Sequence, residues 1–258
     1  MNFGFDIIDF HTHPYIERAN NICFYTDDCK VVDDIVSTPR SLGITKIVGS
    51  VLNLSRKVES FREVKECNDE ALRIRDKLGD FYVPGFHVHP AFVEESIEEI
   101  GRMAAHGVGL IGELCPYIQG WRSYAEDGLY PILKEAGRHN MTVSIHNMDW
   151  DGIDKMVAEH PEINFVVAHP GEGEALYRHI ERMKKYGNLY LDVSASGLDR
   201  WLALRALVDS VGSERILFGT DYPVCNPGAI IGAILAEPIS DRDRENIFSL
   251  NAKRLLGL

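Results

Sequence analysis

The sequence predicts a closed (β/α)8 barrel, and three observations carry that expectation. Eight short runs rich in β-branched and aromatic residues alternate with amphipathic segments along the 258 residues. Their starts recur every few tens of residues, which suits a strand, a crossover helix and two loops. The length matches the roughly 250 residues typical of one such barrel. No linker, low-complexity tract or charge block divides the chain, so residues 1–258 are expected to form one domain. A doubly wound open sheet is the alternative. It would place a glycine-rich phosphate turn after the first strand, and none is there.

The expected strands are residues 5–11, 44–51, 81–87, 108–113, 142–146, 164–169, 189–193 and 215–221. Each has the length of a buried strand and is rich in Val, Ile, Phe or Tyr. The clearest helix covers residues 56–78, where Val58, Phe61, Val64, Ala71, Ile74 and Leu78 share one face. Gly43, Gly107, Gly187 and Gly212 each stand between a helical run and a strand, where helix C-caps fall. Pro161 does similar work after the segment that ends at His160. The apolar run at residues 229–235 is read as a helix face in the core or a contact between subunits, which leaves a homo-oligomer open.

Composition narrows the partners. Of the chain, 45% is hydrophobic and 26% charged, as in a globular protein. With 27 Lys plus Arg against 39 Asp plus Glu, the formal charge is −12. No basic surplus exists to neutralise phosphates, which argues against nucleic acid and anionic membranes and for a small-molecule partner. No stretch approaches the roughly 20 apolar residues of a membrane span. The opening MNFGFDIIDFHTHP has no basic segment and carries Asp6 and Asp9 in its apolar run, so it is not expected to act as a signal peptide. The five cysteines, Cys23, Cys29, Cys67, Cys115 and Cys225, are widely spaced without any CxxC. They read as reduced thiols of a cytoplasmic protein.

The chemistry is expected at the strand ends. His11 and His13 stand two apart at the end of the first strand, where alternate side chains converge. Spacing alone is weak evidence, since the chain holds a second such pair in His87 and His89. Position says more. His106, His139, His160 and His179 fall in or at the ends of helical segments, where an imidazole simply suits the helix dipole. The other six, His11, His13, His87, His89, His146 and His169, fall at C-terminal strand ends together with Glu113 and Asp221. In a barrel those ends form one rim, where catalytic residues gather. Imidazole and carboxylate donors suit Zn²⁺, and also Mn²⁺, Fe²⁺ or Co²⁺. Such an ion lowers the pKa of water to about 7 and polarises a carbonyl or phosphoryl oxygen.

DFHTHP on the first strand, VSIHN, VVAHPG and ILFGTDYP together resemble the amidohydrolase superfamily. The short form is most similar to its amidohydrolase-related (amidohydrolase-2) family. The resemblance implies that His11, His13, His146 and Asp221 bind the metal and that His169 acts as an acid or base or holds a second ion. Glu113, in IGE at the end of the fourth strand, resembles the TatD-like branch, where it would bridge two ions. One ion and two are both open at this point.

Other rim positions are expected around the pocket. The segment 115–126 is long and aromatic, and Tyr117, Trp121, Arg122 and Tyr124 would form a lid, with Arg122 receiving a substrate carboxylate. The bland alternative is a loop packed on its neighbours. His89 and Asp192 would line the pocket or pair with barrel neighbours. Asp9 points the same way as His11 by strand alternation and would orient a ligand. Cys115 and Cys225 read as inert buried thiols. The leading function is a metal-dependent hydrolase of a small amide, ester or lactone, with Asp221 and His169 handling protons. The alternatives are a non-oxidative decarboxylase of a small carboxylic acid, a TatD-like phosphoesterase or nuclease, and a non-catalytic protein on the same scaffold.

Overall fold

The computed structural model describes residues 4–23, 25, 31–54 and 58–258, with only the backbone of residues 31–35. Cys29 and the expected helix start at Arg56 lie outside them. Eight parallel strands form one sheet in sequence order. They are β1 (Ile8–Thr12), β2 (Lys46–Gly49), β3 (Tyr82–Phe86), β4 (Leu110–Leu114), β5 (Thr142–Ile145), β6 (Asn164–Val167), β7 (Leu189–Asp192) and β8 (Ile216–Leu217). The sheet closes on itself. Phe10 N donates to Phe218 O at 2.8 Å, Asp221 N to His11 O at 2.8 Å and His13 N to Tyr222 O at 2.8 Å. Thr12 also bridges Tyr222 in parallel. The chain is therefore a (β/α)8 barrel.

All eight expected strands are present, but each is shorter than the apolar run that announces it. The reason lies in the polar residues at their ends. His146, His169 and Asp221 fall just beyond β5, β6 and β8, and the last two have left-handed backbone (φ 67° and 63°) that no ladder accommodates. Helices fill the crossovers. The main ones are α1 (Val31–Ser41), α2 (Phe61–Leu78), α3 (Val93–Ala105), α4 (Pro116–Gln119), α5 (Leu129–Arg138), α6 (Trp150–Glu159) and α7 (Glu174–Lys185). After them come α8 (Ala203–Val211), α9 (Pro227–Ala236), α10 (Asp241–Glu245) and α11 (Asn251–Leu256).

Local sequence explains the boundaries. α2 starts at Phe61 because Ser60 N donates to the Glu63 carboxylate at 2.8 Å, a capping box. It buries Val64, Ala71 and Ile74. Gly43, Gly107 and Gly212 take positive φ as expected of caps, whereas Gly187 does not and α7 ends instead at Tyr186. In α9, Ile230, Ile231 and Ile234 are buried, so the apolar run belongs to the core. Among the described residues no helix is long and apolar enough to cross a membrane.

Two apolar clusters organise the barrel. Ile8, Phe10, Val48, Leu110, Val166 and Leu217 form one, and Ala252 of α11 packs into it. A larger one joins the strands to the helices and includes Ile47, Phe86, Ile111, Val143, Phe165, Leu191 and Phe218. Two ladders lose register. β1 slips against β2 between Asp9 and Thr12, and β4 against β5 between Ile111 and Leu114. His11 and Glu113 fall inside those irregular stretches, so strict alternation does not assign their direction.

At the second slip, Gly112 has φ 97°, and a Cβ added there would lie 2.1 Å from Ser144 O. Both constraints require glycine. Gly112→Ala should destabilise the protein by about 3 kcal/mol, lowering the thermal midpoint by roughly 6–12 °C. Calorimetry checks this, and an unchanged midpoint would refute the constraint.

Candidate metal centre

The strand ends bring His11, His13, Glu113, His146, His169 and Asp221 to one mouth, although 210 positions separate the first from the last. His11 Nε2 and His13 Nε2 face each other at 3.0 Å. Glu113 Oε2 lies 3.4 Å from each of them. Asp221 Oδ1 lies 3.7 Å from His11 Nε2 and 3.5 Å from His13 Nε2. These five separations, 3.0–3.7 Å, are of the size of a tetrahedron's edges around an ion about 2.1 Å from each donor.

Proton bookkeeping shows why the four donors fit a cation. His11 Nδ1 lies 3.0 Å from Asp192 Oδ2, and His13 Nδ1 lies 3.0 Å from the Ser50 carbonyl oxygen. Each partner only accepts, so each Nδ1 carries the proton and each Nε2 presents a lone pair. Two lone pairs and two carboxylate oxygens then converge on one point, a repulsive arrangement unless positive charge sits among them. The titration behaviour agrees. Burial disfavours a cationic His11, but Asp192 and Glu113 outweigh it and hold its pKa well above the usual value. Glu113 is pushed up by burial yet pulled well below the usual carboxylate range, first by His11.

A second donor group uses the other oxygen of Glu113. His146 Nδ1 lies 2.8 Å from Oε1 and His169 Nε2 lies 3.5 Å from it. Cys115 Sγ donates to Oε2 at 3.1 Å, so this thiol touches the centre while remaining buried. Burial raises its pKa well above the usual value, with the Glu113 charge adding to the effect. Among the described residues, Glu113, Asp192 and Asp221 form ion pairs only with histidines.

Backbone supports hold the rim. Asn147 Nδ2 donates to His169 O at 3.1 Å, and His11 O accepts from Asp221 N at 2.8 Å. These contacts stabilise two left-handed residues whose conformations cost about 1 kcal/mol each. Asp9 is fully buried and accepts from His11 N at 3.3 Å and Thr220 N at 2.9 Å, so it orients the backbone that carries His11 and Asp221. Burial lifts its pKa to about 7, against the hydrogen bonds from Thr220 and His11.

The remaining rim residues divide. Tyr117 is 61% exposed and its ring centroid lies 5.2 Å from that of His146, so it borders the mouth. Trp121 is buried and its Nε1 donates to Gln119 Oε1, while Arg122 is exposed. Tyr124 is buried and its hydroxyl donates to Leu114 O at 2.8 Å and lies 2.9 Å from His146 O, tying the ends of β4 and β5 together. The segment is thus largely packed, with the short helix α4 at its start. His89 has both ring nitrogens engaged, Nε2 with Gln119 O at 3.1 Å and Nδ1 with Ala91 N at 3.1 Å. His87 turns its Nε2 to Val51 O at 2.9 Å.

Sequence reasoning did not single out Ser194. Its hydroxyl donates to Asp192 and lies 3.2 Å from His11 Nδ1 and 3.0 Å from His169 Nδ1. The available signal was its place two residues beyond Asp192 at the end of the seventh strand.

A (β/α)8 barrel with converging imidazoles and carboxylates at its C-terminal rim defines a metal-dependent enzyme. Residues 8–258 match the Amidohydrolase family model (Amidohydro_2), and the chain belongs to that family. It is 30% identical over 117 residues to gamma-resorcylate decarboxylase of Rhizobium sp. (strain MTP-10005), covering 39% of this chain and 36% of that enzyme. The chain thus matches about a third of the length of that curated relative. Among solved structures, 2,6-dihydroxybenzoate decarboxylase from Rhizobium superposes with a TM-score of 0.80 at 17% identity, covering 98% of this chain and 99% of that one. The 5-carboxyvanillate decarboxylase of Novosphingobium aromaticivorans, solved with manganese, gives a TM-score of 0.69 at 17% identity over 99% and 97% of the two chains.

Two measurements test the centre. Adding Zn²⁺ or Mn²⁺ to chelator-stripped protein at a hundredfold excess over Kd should stabilise it by about 2.7 kcal/mol, raising the thermal midpoint by roughly 5–11 °C. His13→Ala should remove that rise, and a rise of full size in the variant would count against His13 as a ligand. The second concerns pH. Burial lowers the pKa of His87 to about 4 and that of His179 to about 3. Both lie below the ordinary value near 6.5, so the unfolded chain takes up protons first as pH falls. The contributions of these two groups are therefore full above about pH 6.5 and decline towards pH 4, by about 3 kcal/mol for His87, while buried Asp9, whose pKa is raised, changes stability in the opposite sense. Between pH 7 and 5, metal-free wild type should lose about 2 kcal/mol relative to His87→Gln in denaturant unfolding. An equal slope in that variant would contradict the assignment.

Proposed function

We propose that the protein is a metal-dependent, non-oxidative decarboxylase of a small aromatic or unsaturated carboxylic acid. The observation that carries this reading is the donor set of His11, His13, Glu113 and Asp221 at the barrel mouth, in a chain similar in sequence to a gamma-resorcylate decarboxylase. The reaction breaks the carbon–carboxylate bond, leaves its electron pair on carbon and releases carbon dioxide. A proton must then reach that carbon. His11, His13, Glu113 and Asp221, with His146 and His169 beside them, would hold Zn²⁺ or Mn²⁺, which would supply positive charge to bind the acid and stabilise the electron pair.

The chain's own groups do the rest. Asp221 sits at the open side of the donor set and carries the proton to carbon, with His169 facing the same space. Tyr117 borders the mouth beside His146 and offers a ring against which a planar acid can lie. The Asp192 and Ser50 contacts keep His11 and His13 turned towards the centre. The acidic net charge leaves anion binding to the centre itself, since no basic side chain pairs with its carboxylates among the described residues.

Hydrolysis of a small amide, ester or lactone is the second reading, and one observation favours it. Glu113 turns Oε2 to His11 and His13 and Oε1 to His146 and His169, which is how a carboxylate shared by two cations is held.

Purified protein loaded with Zn²⁺ or Mn²⁺ should release carbon dioxide from hydroxybenzoates or unsaturated acids and leave amide, ester and lactone panels untouched. Hydrolysis without carbon dioxide, together with two metal equivalents per chain by elemental analysis, would replace the first reading by the second. Asp221→Asn should lower turnover by about 10²–10⁴-fold while the circular dichroism spectrum stays unchanged. Full turnover in that variant would remove Asp221 from proton transfer.

A further inference from the structure

Ser194 follows β7 and is fully buried, yet its hydroxyl stands among three ionisable side chains. A serine hydroxyl holds one proton to donate and two lone pairs that accept. Here the proton has one favoured destination. The Asp192 carboxylate can only accept, its Oδ1 makes the closest of the contacts to Oγ, and the Ser194 backbone N–H donates to the same oxygen at 3.0 Å. His11 Nδ1 has its own acceptor in the other oxygen, Asp192 Oδ2, at 3.0 Å against 3.2 Å to the serine. The free lone pair of Ser194 Oγ therefore faces His169 Nδ1 at 3.0 Å and calls for an N–H there.

From this we infer that Ser194 is a positioning residue that fixes His169 as the Nδ1–H tautomer and so presents its Nε2 lone pair to the centre. One carboxylate then orients two imidazoles, His11 directly and His169 through the hydroxyl. The opposite arrangement would have the serine donate to His169 Nδ1. His169 would then carry its proton on Nε2 and point it at Glu113 Oε1, 3.5 Å away, unable to accept a proton or hold a cation there. Asn147 fixes the backbone of His169 from the other side through its carbonyl, so the ring has little freedom beyond the choice of tautomer.

The kinetic part of this inference rests on the proposed reaction, whereas the tautomer does not, and the experiment separates them. Nitrogen-15 chemical shifts of the His169 ring, recorded on the full chain stripped of metal and at a pH high enough for the ring to be neutral, should show a protonated Nδ1 and an unprotonated Nε2. Ser194→Ala should convert His169 to the other tautomer or to a mixture. It should also lower kcat by about 10- to 100-fold with KM little changed. An Nε2–H pattern in the wild-type chain overturns the inference whether or not the variant folds. So does a Ser194→Ala chain that keeps the wild-type tautomer and turnover. If neither carbon dioxide release nor hydrolysis is found, the proposed function fails while the nitrogen-15 result still decides the role of Ser194.

Discussion

The seam between β1 and the chain beyond β8 is the constraint on which the rest depends. A barrel of parallel strands is not closed by any covalent link, so its last pairing must be held by hydrogen bonds between segments far apart in sequence. Here Asp9 accepts from both the backbone and the hydroxyl of Thr220 across 211 positions. Phe10, His11 and His13 pair with Phe218, Asp221 and Tyr222 on either side of that contact. The same few residues that close the barrel set the separation between His11, His13 and Asp221. Fold closure and site geometry are one structural event.

Electrostatics explains the second level of organisation. Glu113, Asp192, Asp221 and four imidazoles share a small, mostly buried volume with no arginine or lysine paired to its carboxylates among the described residues. Such a group is costly to bury unless positive charge compensates it. In the metal-free chain protonated His11 serves that purpose, which is why its pKa rises despite burial. A cation would take over the role. The backbone contacts around it then read as supports: Tyr124 across β4 and β5, Asn147 on His169, Asp9 on the seam.

Much of this was legible in the sequence because each signal depended on order and not on distance. Apolar runs between amphipathic segments located all eight strands, and the strand ends singled out His11, His13, Glu113, His146, His169 and Asp221. Sorting histidines by element was informative in a way that counting them was not. His106, His139 and His160 indeed stand at helix C-termini, and His179 within α7. What the sequence did not disclose were contacts between residues from different strands. The pairing of Asp192 with His11, the hydroxyl of Ser194 between two rings and the satisfied nitrogens of His89 depend on how strands meet. Strict alternation does not fix the direction of His11 or Glu113, because the ladders slip where they stand. Tyr124 looked like lid material by composition, whereas burial and its hydroxyl make it a tie between two strands.

The seam also carries a consequence for how the protein is made. His13 leaves the ribosome 208 residues before Asp221, an interval of roughly 10–40 s at ordinary rates of synthesis. Throughout that time the histidine pair exists without the carboxylate that completes its donor set, and β1 has no partner on one edge. The grouping of His11, His13 and Asp221 therefore exists only in the finished barrel and not in the growing chain.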